Sequence, residues 1–421
     1  MSAMVREEVH SARAYRVIPH VVLALVTLGI LWYIKFHPMF DLMVYRSGAE
    51  AVIGRSGGVP LYDVRVSHFP FTYPPFAAYI FIPFTLIRAQ LTMYLMVFVV
   101  GAICYWFSSV IYGYVQSRGR RLPLQEKLGK WGTISALTSV IWLCGPWWWT
   151  TTFGQINAVI LMLVLADFIR PATRVPRGVL IGIAGGIKLT PLAFGLIFLA
   201  RRDWKGIATL GASFGATVAL GFVLNPQDAY TYWFKAVHDP ARVGNINYVD
   251  NISIQGWLMH LGLRDTTLRI TYYTVALLTV IAIGYLLYQL ERRSMVLAQV
   301  GVTGLLMISI SPISWGHHNV MFPLLIAALV LDGLPVFFSV LPAWLYKLGR
   351  VLTIFAGITL YIEPVQLGAL LQGGTFDRMD YIAYHLLVIA TLPILSLYSV
   401  TMLWCYAATR PEIRAESALT R

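Results

Sequence analysis

Uncharged apolar blocks recur along this chain, among them Val21–Trp32, Val275–Leu287 and Gly301–Ile310. Blocks recurring at this density mark helices that cross a membrane. Composition agrees: 58% of the 421 residues are hydrophobic and only 12% are charged, where soluble domains carry about 25% charged residues. Hydrophobicity on this scale excludes intrinsic disorder. The three cysteines, Cys104, Cys144 and Cys405, sit in apolar segments and have no metal-binding or redox spacing, so a disulfide-stapled fold is excluded too. The formal net charge of +13 could suggest nucleic acid. However, the basic clusters fall between apolar blocks, the pattern of cytoplasmic membrane loops, and no basic arm or aromatic-interleaved patch exists. No nucleic-acid partner is expected.

The first span runs from Ile18 to Lys35, behind Arg6, Arg13 and Arg16, and no small-x-small cleavage site follows it. That pattern predicts a retained helix with its N-terminus inside. Further spans are expected at 91–114, 131–148, 156–170, 178–188, 190–200, 206–224, 268–290, 295–310, 319–333, 351–363 and 381–403. The sum is an all-α integral membrane protein of about twelve helices in one polytopic domain, residues 1–421. Residues 36–90 form a first outer loop, with 76–87 as an interfacial or re-entrant helix, and 225–267 form a second, large outer loop. The loop Gln116–Lys130 holds Arg118, Arg120, Arg121, Lys127 and Lys130, which places it inside with both termini. Basic residues flank Gly178–Ala200 on both sides. The chain is therefore expected to turn around within it, at Gly185–Pro191, as two half-length helices.

Few residues can carry chemistry. Asp41 stands among apolar residues just beyond the first helix; such a carboxylate suits a helix N-cap at a helix starting at Leu42 or a desolvated general base. Lys188 lies mid-segment, at a cost of about 2.5–3.5 kcal/mol on insertion scales, so it either faces a cavity or snorkels from a helix end. His317 and His318 sit in a polar run, Ser311–Asn319, between two apolar spans. Adjacent histidines do not chelate one metal together, and no Cys or His-x-x-x-His partners exist, so they read as phosphate-facing, sugar-facing or ordinary interfacial residues. Gln155, Asn157, Asn251 and Ser253 suit sugar hydroxyls and loop structure equally. The aromatics Trp147, Trp148, Trp149, Tyr230, Tyr232 and Trp233 fit an interfacial belt. Walker, Rossmann, His-Glu-x-x-His and Gly-x-Ser-x-Gly patterns are absent. An enzyme whose reactive groups gather in the outer half of a membrane needs a lipid-borne activated donor.

Taken in order, Asp41-Leu42-x-Val44-Tyr45, Leu61-Tyr62-Asp63, Tyr73-Pro74-Pro75, Gly154-Gln155-x-Asn157, Lys188-Leu189-Thr190-Pro191, Asn251-x-Ser253 and Ser311-Pro312-x-Ser314-Trp315-x-His317-His318 resemble glycosyltransferase family 87, the polyprenol-phosphate-mannose-dependent mannosyltransferases of actinobacteria. The resemblance covers nearly the whole chain. It implies a GT-C bundle in the bacterial inner membrane with its active site facing the periplasm. The implied reaction moves mannose, with inversion, from polyprenyl-phosphate-mannose to a mannolipid acceptor. Within the family the chain looks most like members that form an α-1,2 linkage on a phosphatidylinositol mannoside; a sister enzyme branching lipomannan is the alternative, and a lipid-linked sugar transporter is the alternative of another class. By this resemblance Asp41 is the base. Lys188, His317, His318 and Tyr45 serve the donor, and Gln155, Asn157, Asn251, Ser253, Trp315 and Tyr62 serve the acceptor or sugar. Family members often carry Asn-Gln-Ser where this chain has Asn251-Ile252-Ser253. No metal and no cofactor are expected, and the chain is expected to act as a monomer among membrane lipids.

Overall fold

The computed structural model describes residues 3–171, 174–239, 242–248, 250–362 and 395–413, with side chains from residue 15 onward. Nearly all regular structure is helical. In chain order the helices are α1 (Ala3–Phe36), α2 (Phe40–Val52), α3 (Pro75–Ile80), α4 (Ala89–Ser117), α5 (Gln125–Trp142), α6 (Gly145–Phe153), α7 (Asn157–Ile169), α8 (Val179–Ile187), α9 (Gly195–Ala200), α10 (Trp204–Leu224), α11 (Pro226–Phe234), α12 (Ile254–His260), α13 (Asp265–Glu291), α14 (Val296–Ser309), α15 (Phe322–Ala328) and α16 (Ala343–Ile362). Leu395–Ala408 adds α17. The one sheet among the described residues is a two-residue hairpin, β1 (Arg65–Val66) with β2 (Phe69–Pro70).

Among the described residues, six segments are long and apolar enough to cross a membrane: Tyr15–Phe36, Ala89–Ser117, Trp204–Leu224, Asp265–Glu291, Phe322–Val340 and Ala343–Ile362. They match six of the twelve expected spans. The other six are not matched one for one. The stretch 131–148 is split between α5 and α6, and α7 meets α6 at a bend of 117°. The stretches 178–188, 190–200 and 295–310 are shorter helices, and 381–394 of the last span lies outside the described residues. A hydropathy window responds equally to a spanning helix and to a half-length helix buried by protein on every side. α14 is of the second kind, with twelve of its residues buried.

The turn-around within Gly178–Ala200 is present. Gly178, at the start of α8, lies against Gly206 at the start of α10, and Gly182 and Gly186 follow against Leu210–Phe214 and Thr217. α8 and α10 are thus parallel neighbours, so α9 must return the chain to the level where α8 began. Small residues allow this close approach: a Cβ on Gly186 would collide with the Thr217 side chain. α8 stops at Lys188, whose backbone is extended (φ −150°, ψ 130°), and Pro191 opens the following 3₁₀ turn, Thr190–Phe194.

α15 continues as a π-helical segment, Leu329–Phe337, with Pro335 inside it. There the buried Asp332 accepts from Arg118 Nε at 2.7 Å and from the Tyr114 hydroxyl. Those contacts tie the far end of α15 to the far end of α4.

Candidate active site

The site is built where four breaks in helical structure meet. The first is the start of α2. The helix begins at Phe40, its N-cap position is Met39, and no side chain caps it. Asp41 is therefore not the N-cap of a helix beginning at Leu42; it lies in the first turn. Its carboxyl group hydrogen-bonds Gln155.

The second break is the α6–α7 corner. Gly154 is left-handed (φ 69°) and closes α6, with the amides of Gly154 and Gln155 returning to the carbonyls of Thr151 and Thr150 at 3.0 and 2.8 Å. A Cβ on Gly154 would also meet the Leu42 Cβ at 2.7 Å. Glycine is thus required both for the turn and for the approach of α2. The corner delivers Gln155 to Asp41 and Asn157 to Lys188.

The third break is Lys188 itself. Its Nζ donates to Asn157 Oδ1 at 3.1 Å, stands 3.1 Å from His318 Nε2, and lies 5.9 Å over the Tyr73 ring. The fourth is the 3₁₀ turn Gly316–His318. In it the Trp315 amide donates to His318 Nδ1 at 3.1 Å, which turns Nε2 toward the lysine. Asn157, Lys188, His318, Ser314 and Thr190 line a cavity of about 20 Å³, room for roughly one water.

An aromatic pair joins the two halves. The Tyr45 hydroxyl donates to Gln155 Oε1 at 3.0 Å and is 3.0 Å from the Tyr73 hydroxyl; the Ile156 amide reaches it at 3.3 Å. Tyr45 is fully buried, stacked on Phe81 with ring centroids 4.4 Å apart. Tyr73 is a residue of the site that the sequence marks only through its Tyr-Pro-Pro run.

Electrostatics separates the acid from the imidazoles. Burial raises the Asp41 carboxyl to about 6, against the lowering effects of the Gln155 hydrogen bond and the nearby Lys188 charge. Burial, reinforced by Lys188, pushes His317 down to about 3. His318 is pushed down by the same two causes and by His317.

The remaining candidates divide. His317 is buried edge-on against Phe153, and its carbonyl accepts from Thr150 Oγ1 and Asn157 Nδ2, each at 2.9 Å. Asn251 is wholly buried. Its Nδ2 donates to the carbonyls of Ile246 and Pro312, and its Oδ1 accepts from the amides of Ser253 and Ser314. Ser253 caps α12 by accepting from the Gly256 amide and donates to the Pro312 carbonyl. These two residues staple the 250–253 loop to the 311–314 loop. Trp315 packs edge-on against Tyr248. Tyr62 donates to the Tyr73 carbonyl at 3.0 Å and stacks on Tyr232. Of the aromatics read as a belt, Trp147 is instead buried, donating to the Val320 carbonyl.

The profile of glycosyltransferase family 87 matches residues 71–312. A polyprenol-phosphate-mannose-dependent α-(1-2)-phosphatidylinositol mannoside mannosyltransferase of Mycobacterium tuberculosis is 31% identical over 310 residues, 70% of this chain and 72% of that protein. Its namesake in Mycolicibacterium smegmatis is 31% identical over 391 residues, 84% and 86% of the two chains. A polyprenol-phosphate-mannose-dependent α-(1-2)-phosphatidylinositol pentamannoside mannosyltransferase of the latter organism is 30% identical over 339 residues, 75% and 76%. No solved structure matches the chain. With motifs, helical membrane architecture and relatives agreeing over most of its length, the chain belongs to glycosyltransferase family 87.

Proposed function

We propose that this enzyme moves mannose from polyprenyl-phosphate-mannose to a hydroxyl of a phosphatidylinositol mannoside, with inversion and formation of an α-1,2 linkage. One observation carries the reading: a carboxylate and a lysine–histidine pair, all half-buried and from distant parts of the chain, come together in one polar site. Asp41 takes the proton of the acceptor hydroxyl as its oxygen bonds to the sugar's C1. The C1–O bond to phosphate breaks, and its electron pair leaves with the phosphate. Lys188 and His318 face that phosphate. The charge growing on it is stabilised more strongly beside buried groups than in water. Gln155 and Tyr45 position the base, and Asn157 positions the lysine. The donor is already activated, so the reaction needs neither metal nor cofactor.

On this reading the site opens on the periplasmic side of the inner membrane and the protein works as a monomer. The relatives' names include both a mannoside and a pentamannoside acceptor, so acceptor length is left to experiment. The test is incubation of the purified protein with polyprenyl-phosphate-mannose and phosphatidylinositol mannosides of graded length, followed by mass spectrometry. A gain of one hexose on an acceptor supports the proposal. Donor and acceptors returned unchanged, by protein that still binds the donor, would favour a lipid-linked sugar transporter.

A further inference from the structure

We propose that the groove between α4, α5, α15 and α16 is a site for an anionic glycerophospholipid, separate from the candidate active site. The groove encloses about 830 Å³. Its wall is apolar along most of its length, with Val140, Ile141, Phe322, Val330, Leu334 and Leu360 among the contributors. Its charged lining is of one sign: Arg120, Arg121 and Arg350, with no acidic side chain among the described residues.

Arg120 and Arg121 follow α4 at the end tied to Asp332, and Arg350 follows Gly349, which lies against Phe338 just beyond the Asp332 segment. Arg118, two residues before Arg120, is held by Asp332 at 2.7 Å, and Arg121 pairs with Glu126. Arg120 and Arg350 have no acidic partner among the described residues, and both are exposed. Long apolar walls ending in unneutralised guanidinium groups fit acyl chains below an anionic headgroup. Basic pockets between membrane helices bind such headgroups, and arginine grips phosphate with a rigid fork of donors.

The sugar donor does not explain the basic end. Phe322 lies at the opposite end of the groove, four residues after His318. From Phe322 to Asp332 the helical run covers ten residues, roughly 15 Å at 1.5 Å per residue. A phosphate held by Lys188 and His318 therefore cannot also sit on Arg120 and Arg350. A second anionic lipid, from the leaflet at the arginine end, can.

The test uses the full-length protein purified in detergent and given equimolar phosphatidylglycerol and phosphatidylcholine, with bound lipid counted by native mass spectrometry. Wild type should retain phosphatidylglycerol over phosphatidylcholine by roughly tenfold or more, since unpaired arginines near the headgroup attract the anionic lipid and not the zwitterionic one. The Arg120→Gln/Arg350→Gln variant, changed only at exposed positions, should bring that ratio close to one. Ala327→Phe, which fills the apolar wall, should lower retention of both lipids. The proposal is overturned if the double variant keeps the wild-type preference. It is equally overturned if decaprenyl phosphate displaces phosphatidylglycerol one for one from wild type, since the groove then houses the donor's tail.

Discussion

Lys188 and His318 lie 130 positions apart, yet Nζ of one is 3.1 Å from Nε2 of the other. The contact is set from both sides. A helix stop presents the lysine, and a backbone amide holds the histidine ring through Nδ1. A charged side chain at membrane depth is tolerated where a cavity and polar groups meet it, and here Asn157 Oδ1 accepts from the lysine.

Asp41→Asn should lower turnover by about 10²–10⁴-fold, the usual contribution of one general base, while donor binding persists. The same variant should melt higher than wild type at pH 7.5. The folded-state carboxyl titrates near 6, above its ordinary 3.8, so above pH 6 the ionised, desolvated carboxylate costs stability that the amide does not. As pH falls from 6 to 4 the folded wild type takes up a proton and closes that gap. Melting curves of both proteins at pH 7.5 and pH 4.5 check the sign. Near-normal turnover in the Asn variant would remove Asp41 from the chemistry.

The pH–rate profile should have an acid limb set by Asp41. It acts ionised, so kcat/KM should climb with unit slope below about pH 6. Burial and Lys188 push both histidines below their ordinary value, away from this limb. A profile flat from pH 5 to 8 contradicts the assignment of the base.

Lys188→Met keeps the stem and removes the nitrogen, and should cost several-fold to roughly a hundredfold in activity with the protein still folded. The two histidines should differ. His318 faces the lysine, so His318→Ala should lower activity at nearly wild-type melting temperature. His317 is packed on Phe153 and contributes its carbonyl to the site, so His317→Ala should lower the melting temperature first. Activity and melting assays on the three variants separate these outcomes.

Asn251→Ala should destabilise by about 1–3 kcal/mol, because two buried carbonyls lose a donor and two amides lose an acceptor. Asn251→Asp should not restore it, since a carboxylate cannot donate to the Ile246 and Pro312 carbonyls. Denaturation midpoints in detergent give the answer. A wild-type midpoint for the alanine variant would mean that the two loops are held by other contacts.

Cysteine probes test orientation. A cysteine near Gly57 should react with an impermeant reagent added outside whole cells, and one in the Gln116–Lys130 loop should not. The reverse pattern would turn the site to the cytoplasm.

The sequence by itself determined the membrane class and the places where helices break. Both depend on local chemistry: uncharged blocks favour lipid whatever surrounds them, and Gly185-Gly186 with Pro191 favours a break wherever the segment lies. The reversal around Lys188 was legible for the same reason, since basic residues flank it on both sides. The number of long spans was not legible, because α14 and a spanning helix share one hydropathy and differ only in what packs around them. Nor were the partners of polar side chains. Asn157 and Asn251 look alike in sequence, each in a short polar run at a helix start. Folding brings Lys188 to the first and encloses the second among four backbone groups. A side chain's reactivity depends on its neighbours in space, and only the tertiary structure decides which these are.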